Sequence, residues 1–485
     1  MKKVQTNKEN ILIDQLKIWF EGSSDIVIRT RAYHDNTLDF LYCPNLVDVK
    51  FINEVVFTAI NAAIEKNGHL NFESLSNVLE VSKLNDLNNV KAEVEEKLFS
   101  GELLIFSYDL NDVFFIPVSN LPKRGPEESN METSIRGPRD GLVETISDNM
   151  ALIRQRLKTS SLKSIEYTIG ERSRTKILLL YIDDIINPSI LEDVKKRLNS
   201  IKIDIVASSY EIEEFLYDKT FTLFPLMEDS GRPDFAVQSL AQGRFVILVD
   251  GNPTCLIGPT NLNQILYASE DAQDSFFYVS MVRVLRLMAI LTTIFLPGFY
   301  ISLITFQLDQ IPYSLVATIS ASRIGLPFSA PAEVFLMLFL FELFKEAGVR
   351  LPKAVGQTVA VLGGLFIGDA AIRAGLTSPS CLVVVSITVI SGYILTNQNL
   401  AVNILILRLF VLVFSSLSGL YGFFIAFFLI ITTLVSLESF GQPYMSYLSR
   451  PNASDIIKNI LKLPYRFMKK RNQAYQPIDS DSQKE

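Results

Sequence analysis

The sequence is poor in the residues that most often carry chemistry. Its 485 residues include only two histidines and three cysteines, and Cys43, Cys255 and Cys381 stand far apart without any CxxC pair. This spacing gives no basis for a disulfide framework or a structural zinc site. No GxGxxG follows the first strand of the predicted βαβ unit, and no GxxxxGK[ST] loop occurs anywhere. We therefore predict no enzyme: no catalytic residue, no cofactor and no metal site.

The remaining candidate side chains fit ordinary surface positions better than a reactive site. Asp183 and Asp184 end a predicted strand, but the sequence offers no partner ligands beside them. Solvated acids at strand ends are the commoner case. Arg154 and Arg156 lie on a predicted amphipathic helix, and we expect both to face solvent or a neighbouring subunit.

Charge is scarce in the last third of the chain. Residues 287–449 contain 12 charged residues in 163, whereas the other 322 residues contain 85 of the total of 97. This contrast, together with long apolar runs, is typical of a membrane domain that follows a soluble one. The net charge of −7 argues against nucleic-acid binding. The first residues lack the features of a signal peptide, so we expect the front half to be cytoplasmic.

The first 275 residues predict two small α/β domains. Residues 1–120 alternate helix-like and strand-like segments, and a linker rich in proline, glycine and charge covers 121–141. The second domain is expected over 142–275. Its sequence predicts a strand–helix–strand βαβ unit and then a hairpin, from the segments "TKILLLYIDDI", "NPSILEDVKKRLNSI", "KIDIVAS" and "GRFVILVDGNPTCLIGP".

An all-α polytopic membrane domain is predicted over 284–440. Its apolar runs lie at 287–306, 333–345, 357–372, 380–396, 404–418 and 420–437. We predict one membrane span for each run, six in all. A crossing needs about 20 residues, and some of the runs are shorter. The alternative is therefore four spans, with the short runs re-entrant or lying in the interface. Three serines and Gly419 predict a tight reversal between the last two runs. Basic residues before the first, after the second and after the last run place both termini in the cytoplasm, including a basic tail over 450–485.

One apolar segment, "GQTVAVLGGLFIGDAAIRAGL" (356–376), contains both small residues and charge. A residue at every fourth position predicts a smooth ridge that packs on a neighbouring helix: Gly356, Ala360, Gly364 and Gly368. A second face follows a 4-3-4 spacing: Thr358, Leu362, Leu365 and Asp369. Arg373 comes one turn after Asp369.

This second face has two interpretations. Asp369 pairs with Arg373 at the end of a packed helix, or the face lines a pore. In a pore, Leu362 and Leu365 form an apolar constriction, and Asp369 contributes to an acidic ring that selects cations. A single chain supplies one such helix, so the pore requires several copies around an axis.

Two further charges fall inside the apolar runs. Glu342 and Arg408 have similar predicted depths in the membrane. Two interpretations are open. The two side chains form an intramembrane pair, because unpaired charges are costly in hydrocarbon. Alternatively, each side chain extends separately to the membrane interface.

The chain resembles the A subunit of GerA-type spore germinant receptors from about residue 20 to 450. The resemblance rests on long motifs in the family's order: "GPRDGLVETISDNMALIRQRL", "IGERSRTKILLLYI", "GRPD", "GRFVILVDG", "LPGFYISL", "ASRIGLPFSAPAEVFLM", "FELFKEAGVRLPKAVGQTVAVLGGLFIGDAA" and "SFGQPY". It departs from the pattern at Asp369, where relatives usually have glutamine, and at Ile324, where they often have glutamate.

The resemblance implies a multi-pass protein of the spore inner membrane that signals germination. It implies two partner subunits, a transporter-like B subunit that holds the nutrient and a lipoprotein C subunit. It further implies self-association, as a pentamer, into a nutrient-gated channel for monovalent cations, with residues 357–371 as its pore-side helix.

Two other functions stay open at this point. The chain could be a component of a solute transporter, although paired repeats with broken helices are not evident. It could also be a non-conducting membrane scaffold for the nutrient-binding subunit.

Overall fold

Two α/β domains precede a domain of apolar helices, which confirms the predicted fold class. The computed structural model describes residues 15–33, 36–67, 70, 72–84, 90–108, 112–120, 137–350, 368–446, 461–467 and 469–482. We call residues 15–120 the first α/β domain, 137–275 the second, and 276–446 the helical domain.

The first α/β domain is built on a five-stranded antiparallel sheet in the order β1-β2-β4-β5-β3. Its strands are β1 (Val27–Tyr33), β2 (Asn36–Tyr42), β3 (Ser82–Lys83), β4 (Glu102–Ser107) and β5 (Asp112–Pro117). Its helices are α1 (Phe57–Asn67), which follows a π-helical turn (Ile52–Val56), α2 (Phe72–Ser76) and α3 (Val90–Leu98).

Helices cover both faces of this sheet. Along β4, Leu103 and Ile105 belong to the core that contains α1, whereas Leu104 and Phe106 belong to the core that contains α3. Successive side chains of a strand point to opposite faces, so a sheet with two covered faces needs apolar residues at every position. This explains the unbroken apolar run "LLIF".

The second α/β domain repeats this three-layer arrangement. Its antiparallel sheet has the order β6-β7-β9-β10-β8, with a helix pair packed on each face. Its elements are α4 (Ile146–Arg156), β6 (Leu162–Ile169), β7 (Thr175–Ile182), α5 (Pro188–Ser200), α6 (Ser209–Leu216), β8 (Glu228–Ser230), α7 (Pro233–Ala241), β9 (Phe245–Val249), β10 (Cys255–Gly258) and α8 (Leu262–Ile265).

The predicted βαβ unit is wrong in its last strand. Residues 202–208 form no strand, and β7 pairs antiparallel with β6 and β9. The backbone of this stretch instead binds the turn between β6 and β7, because Ile203 O and Asp204 O accept from the amides of Glu171 and Arg172. The predicted hairpin is present as β9 and β10.

The described residues of the helical domain include five helices of ten residues or more. They are α9 (Phe276–Phe306), α10 (Tyr313–Ser322), α11 (Ala330–Arg350), α12 (Pro379–Tyr393) and α13 (Gln398–Val435), and residues 368–373 are also helical. Among the described residues, Phe276–Phe306 and Asn399–Val435 are long and apolar enough to cross a membrane, and Pro379–Tyr393 is a shorter apolar helix.

The chain reverses inside α13 at Gly419, as the sequence predicted. Gly419 has φ 58° and ψ −139°, which are not helical angles. Before it, Val411 and Ser415 lie against Gly298, and Gly419 lies against Phe306. After it, the chain runs back along α9, because Phe423 contacts Phe299 and Phe295, and Phe427 contacts Phe295. The last two apolar runs therefore form a helical hairpin.

The helical domain has a near end, which contacts the second α/β domain, and a far end. At the near end, Thr396 Oγ1 donates to Ile265 O, and Lys219 Nζ donates to Ser436 O. The far end contains the Gly419 reversal, where Gln307 Oε1 accepts from the amide of Leu420. Both ends of the α13 hairpin thus return to the α/β side.

The described part of the C-terminal tail, 461–482, docks on the second α/β domain. Tyr475 is buried and its hydroxyl accepts a hydrogen bond from Asn261, while Arg471 Nε donates to Ala241 O. The amide of Ile478 donates to Ile185 O. A short antiparallel strand pair, β11 (Glu438–Ser439) and β12 (Gln442–Pro443), follows α13.

Candidate functional site

The described end of the glycine-containing segment packs one side inward and turns its charges outward. A Cβ placed on Gly368 would lie 3.0 Å from the side chain of Leu382 on α12, so a larger residue would press on that helix. Ala371 is buried in the core formed by α9, α11 and α12. Asp369 and Arg373 point away from this core, with 58% and 79% of their side chains exposed.

Asp369 and Arg373 form an ion pair at 2.8 Å between Oδ2 and Nε, the contact that the first of the two interpretations describes. Their exposure leaves the carboxylate accessible from outside the chain, so the geometry fits either interpretation of this face. The other members of the two predicted faces lie outside the described residues: Gly356, Thr358, Ala360, Leu362, Gly364 and Leu365.

The sequence reasoning missed Glu333, which lies in the first turn of α11 at the far end and is 1% exposed. Its Oε1 accepts hydrogen bonds from Thr377 Oγ1 (3.0 Å), Ser378 N (2.5 Å) and Ser378 Oγ (2.6 Å). Its Oε2 lies 3.5 Å from Arg323 Nη1. An acid that follows "APA" and precedes an unbroken apolar run was the signal for a buried first-turn carboxylate.

The Glu333 contacts continue into a hydroxyl chain. Ser378 Oγ lies 3.2 Å from Ser380 Oγ, which lies 3.0 Å from the hydroxyl of Tyr300 on α9. Ser378 also caps α12, because its Oγ accepts from the amide of Cys381. Polar groups thus join α9, α11 and α12 near the far end of the helical domain.

Glu342 and Arg408 lie beside each other within the helical domain. Arg408 Nη2 is 3.5 Å from Glu342 Oε2, and Lys345 Nζ is 3.1 Å from the other oxygen of the same carboxylate. Arg408 Nε is buried and has no hydrogen-bond partner among the described residues. The contact is therefore a single long one, without the paired geometry of a strong arginine–carboxylate bridge.

A denser charge cluster fixes the near end. Asp271 accepts from both Nη atoms of Arg286 at 2.8 and 3.0 Å, and Arg286 also donates to Leu266 O. Lys462 of the tail donates to the carbonyls of Asp271 and Asp274. The base of α9 is thereby bound to the second α/β domain and to the tail.

A buried acid also lies near this junction. Burial raises the pKa of Glu213 on α6 to about 7, even though the hydroxyl of Tyr217 donates to it. Burial raises the pKa of the nearby Asp229 as well. Asp229 accepts a 3.4 Å hydrogen bond from Asn399 at the start of α13, so these acids lie between the α/β and helical domains.

The prediction that Arg154 faces solvent or another subunit is wrong. Arg154 is fully buried and donates to both carboxylate oxygens of Asp25, from Nε at 2.7 Å and from Nη2 at 3.0 Å. Asp25 belongs to the first α/β domain and Arg154 to the second, and the pair holds the pKa of Asp25 below its usual range although burial opposes this. The helical periodicity could not reveal a partner 129 residues away.

The described residues contain no group of three or more His, Cys, Asp or Glu side chains arranged to hold a metal ion. Asp183 and Asp184 are exposed after the end of β7. All three cysteines are free and buried. Burial raises the pKa of the Cys43 thiol to about 12, which makes it a poor nucleophile.

These features define the class of protein: two α/β domains are bound through buried charges to the base of a domain of apolar helices, two of which, among the described residues, are long enough to cross a membrane. Comparison with known proteins narrows this class. The chain matches the family described as Bacillus/Clostridium GerA spore germination protein over residues 14–474. It belongs to that family, which confirms the resemblance noted in the sequence.

Individual relatives are similar in sequence over nearly the whole chain. The chain is 40% identical to spore germination protein XA of Bacillus anthracis, covering 100% of this chain and 99% of that protein. It is 34% identical to the uncharacterized membrane protein YfkQ of Bacillus subtilis (96% and 91% covered). It is 31% identical to spore germination protein B1 of the same species (97% and 98% covered).

One solved structure was also similar. It is the crystal structure of the N-terminal domain of the A subunit of the Bacillus megaterium spore germinant receptor GerK3. The match has 25% sequence identity and a TM-score of 0.39, and it covers 51% of this chain and 92% of that one.

Proposed function

We propose that this chain is the A subunit of a nutrient germinant receptor in the spore inner membrane, where several copies form a nutrient-gated cation channel. Membership of the GerA family supports the receptor role. One observation carries the channel part: Gly368 and Ala371 pack into the protein, whereas Asp369 and Arg373 lie on the opposite, exposed side. A helix that divides in this way can pack by one face and border water by the other.

The course of the helices supports a multi-pass arrangement with both termini on one side. α9 leaves the second α/β domain, and the two arms of the α13 hairpin lie along it with both ends at the near end. α11 begins at the far end beside the start of α12. We propose that the 356–376 segment, which connects α11 to α12, is one further crossing, that the crossings number six, and that the near end faces the cytoplasm.

The α/β domains are well suited to pass a signal to these helices. Buried charge pairs join the first α/β domain to the second, and the second to the base of α9. We infer that the partners are a transporter-like B subunit that binds the nutrient and a lipoprotein C subunit. A partner that displaces the α/β domains would also move α9, because the Asp25–Arg154 and Asp271–Arg286 pairs connect these parts and need not break.

Cation passage would follow from the side chains of the proposed pore face. Thr358, Leu362 and Leu365 supply a hydroxyl and an apolar constriction, and Asp369 supplies negative charge at the far mouth. Rings of acidic side chains favour cations, and apolar constrictions close a pore by excluding water. Arg373 reduces that negative charge where it remains paired with Asp369.

The experiment is a cysteine scan of the receptor, reconstituted in liposomes with its partner subunits. Amino acids, sugars and nucleosides are tested in turn for a nutrient-evoked current. Single cysteines are introduced in a chain without its three native cysteines, and a water-soluble thiol reagent is applied. Block of the current is expected on the pore face, at positions 358, 362, 365 and 369.

The small-residue ridge provides the matched control positions, 356, 360, 364 and 368. Block there, with none on the other face, would reverse the orientation and contradict the proposed pore. Leu362→Ala is expected to leak monovalent cations without nutrient. A well-assembled wild-type receptor that carries no current with any nutrient would favour a non-conducting scaffold, and nutrient uptake without current would favour a transporter.

A further inference from the structure

Glu333 connects three parts of the far end through one carboxylate. Oε1 accepts from Thr377 and Ser378 at the start of α12, and Oε2 lies 3.5 Å from Arg323 Nη1 after α10, close enough for charge attraction but without a hydrogen bond among the described residues. Glu333 itself belongs to α11. An acid in the first turn of a helix ordinarily interacts with the free N–H groups of its own helix. The hydrogen bonds of Glu333 go instead to the start of another helix, α12, and this calls for a separate explanation.

The contacts lie immediately after the proposed pore segment. The helical part of that segment ends with two reverse hydrogen bonds, from the amide of Leu376 to Ala371 O at 2.9 Å and from the amide of Gly375 to Ile372 O at 3.0 Å. This is the pattern of a Schellman cap, which fixes the exit direction of the chain. Thr377 follows at once, so Glu333 holds the segment through a very short connection.

The other packing of the described part of this segment, from Gly368 onwards, is apolar. Gly368 lies against Leu382, and Ala371 lies in the core with Val334 and Met337. Apolar contact is non-directional and permits a helix to slide or rotate, whereas hydrogen bonds require particular distances and angles. The Glu333 bonds therefore fix a position that the apolar contacts leave adjustable.

We infer that Glu333 is a positioning residue: it holds the far end of the proposed pore segment against α11 and α12. This inference rests on the proposed channel function. Removal of the carboxylate leaves the hydroxyls of Thr377 and Ser378 without their acceptor and Arg323 without its opposite charge. The freed segment end adopts more arrangements, including conducting ones, in the absence of nutrient.

The first measurement is amide hydrogen exchange of the full chain in lipid nanodiscs, which does not depend on conduction. In Glu333→Ala, the amides of residues 374–378 are expected to exchange about tenfold faster, the size of effect that loss of hydrogen bonds to a charged group produces. Glu333→Gln retains an acceptor for Ser378 and should show a smaller rise. Exchange inside α12, at residues 384–391, should stay as in the wild type.

The second measurement is the ratio of nutrient-free to nutrient-evoked current of the reconstituted receptor, which a merely structural role would not change. Glu333→Ala is expected to raise this ratio about tenfold, with Glu333→Gln between it and the wild type. Glu346→Gln is the matched control, because it removes an exposed acid from the opposite end of the same helix. It should leave both measurements unchanged.

The other possible results would overturn either the positioning role of Glu333 or the proposed channel. Unchanged exchange at 374–378 in Glu333→Ala overturns the inference, and so does faster exchange with a current ratio that stays constant or falls. If Glu333→Ala does not reach the membrane, Glu333→Gln and Thr377→Val are judged by the same criteria. A silent wild-type receptor overturns the channel itself, whereas a conducting wild type with an unaltered variant ratio overturns only the role of Glu333.

Discussion

Two buried arginines are paired differently: Arg154, between the two α/β domains, and Arg408, within the helical domain. Between the α/β domains, Arg154 binds both oxygens of Asp25 and also donates to the carbonyls of Thr159 and Leu162. In the helical domain, Arg408 makes one 3.5 Å contact with Glu342, and its Nε has no hydrogen-bond partner in the described structure. The first arrangement satisfies its polar groups, and the second does not.

The difference has a physical consequence for movement. A saturated buried pair is costly to open, because each charge would then be buried alone. A single long contact loses little when its partners separate. We conclude that the Asp25–Arg154 pair holds the two α/β domains together, whereas the Glu342–Arg408 contact can rearrange at low cost.

The largest effect is expected from breaking the Asp25–Arg154 pair. Asp25→Ala should lower the free energy of unfolding by about 3–5 kcal/mol, because it leaves a buried guanidinium without its counter-charge. Urea unfolding followed by the fluorescence of Trp19 measures this, since Trp19 lies at the domain contact where its carbonyl accepts from Lys163. Glu166→Gln is the control. It breaks an exposed pair with Lys176 and should cost less than about 1 kcal/mol. If Asp25→Ala and Glu166→Gln lowered the free energy of unfolding equally, the buried pair would be no stronger than an exposed one.

The next prediction concerns pH. The folded-state pKa of Glu213, about 7, lies above the ordinary value of 4.5. The folded protein therefore holds this proton more tightly, and the stabilisation is complete below pH 4.5 and is lost as the pH rises to about 7. In the wild type this rise in pH should lower the free energy of unfolding by up to about 3 kcal/mol, and Glu213→Gln should remove that pH dependence.

Thermal unfolding of the detergent-solubilised chain between pH 5 and pH 8 provides the measurement for Glu213. Glu214→Gln, on the exposed side of the same helix, should keep the wild-type slope. A Glu213→Gln variant with that same slope would show that the acid does not titrate in this range.

The Gly419 reversal tests whether the helical domain also contains rigid points. The backbone of Gly419 has φ 58°, which residues with a side chain rarely adopt, and a Cβ added there would lie 2.8 Å from the side chain of Phe306. Gly419→Ala should therefore destabilise the solubilised protein by about 2–3 kcal/mol. At Gly392 the nearest atom to an added Cβ is 3.7 Å away, so Gly392→Ala should be neutral or slightly stabilising. A neutral Gly419→Ala would mean that the hairpin does not require this turn.

The smallest effect is expected at the Glu342–Arg408 contact. A double-mutant cycle with Glu342→Gln and Arg408→Gln should give a coupling energy of about 0.6 kcal/mol, the average found for polar contacts between membrane helices. The same cycle on Asp25 and Arg154 should give several times more. A charge swap of Glu342 and Arg408 that recovers no activity lost by either single change would leave their pairing unsupported. A coupling as large as that of the α/β pair would erase the distinction between the two regions.

Several features could be predicted because their cause is local. The shortage of charge over 287–449 marks the apolar domain, and the alternation of apolar segments marks the two α/β domains. The reversal at Gly419 follows from the residues around it, since a glycine after three serines interrupts an apolar run. The spacing of Asp369 and Arg373 on one helix face likewise predicts their contact.

Other features depend on residues far apart in the chain. Residues 202–208 are apolar enough to predict a strand, but the fold gives their hydrogen bonds to the β6–β7 turn. The acid Glu333 is visible in the sequence, yet its partner Ser378 lies 45 residues later. The docking of the tail through Tyr475 also depends on a surface that exists only after the second α/β domain has folded.

The sequence by itself determined which segments avoid water, where the apolar domain lies and which family the chain belongs to, because these follow from composition and short-range order. Only the tertiary structure decided which charges are paired. Burial makes an unpaired charge costly, so buried charges such as Arg154 and Glu333 lie where the fold supplies a partner. That partner is set by three-dimensional packing rather than by distance along the chain.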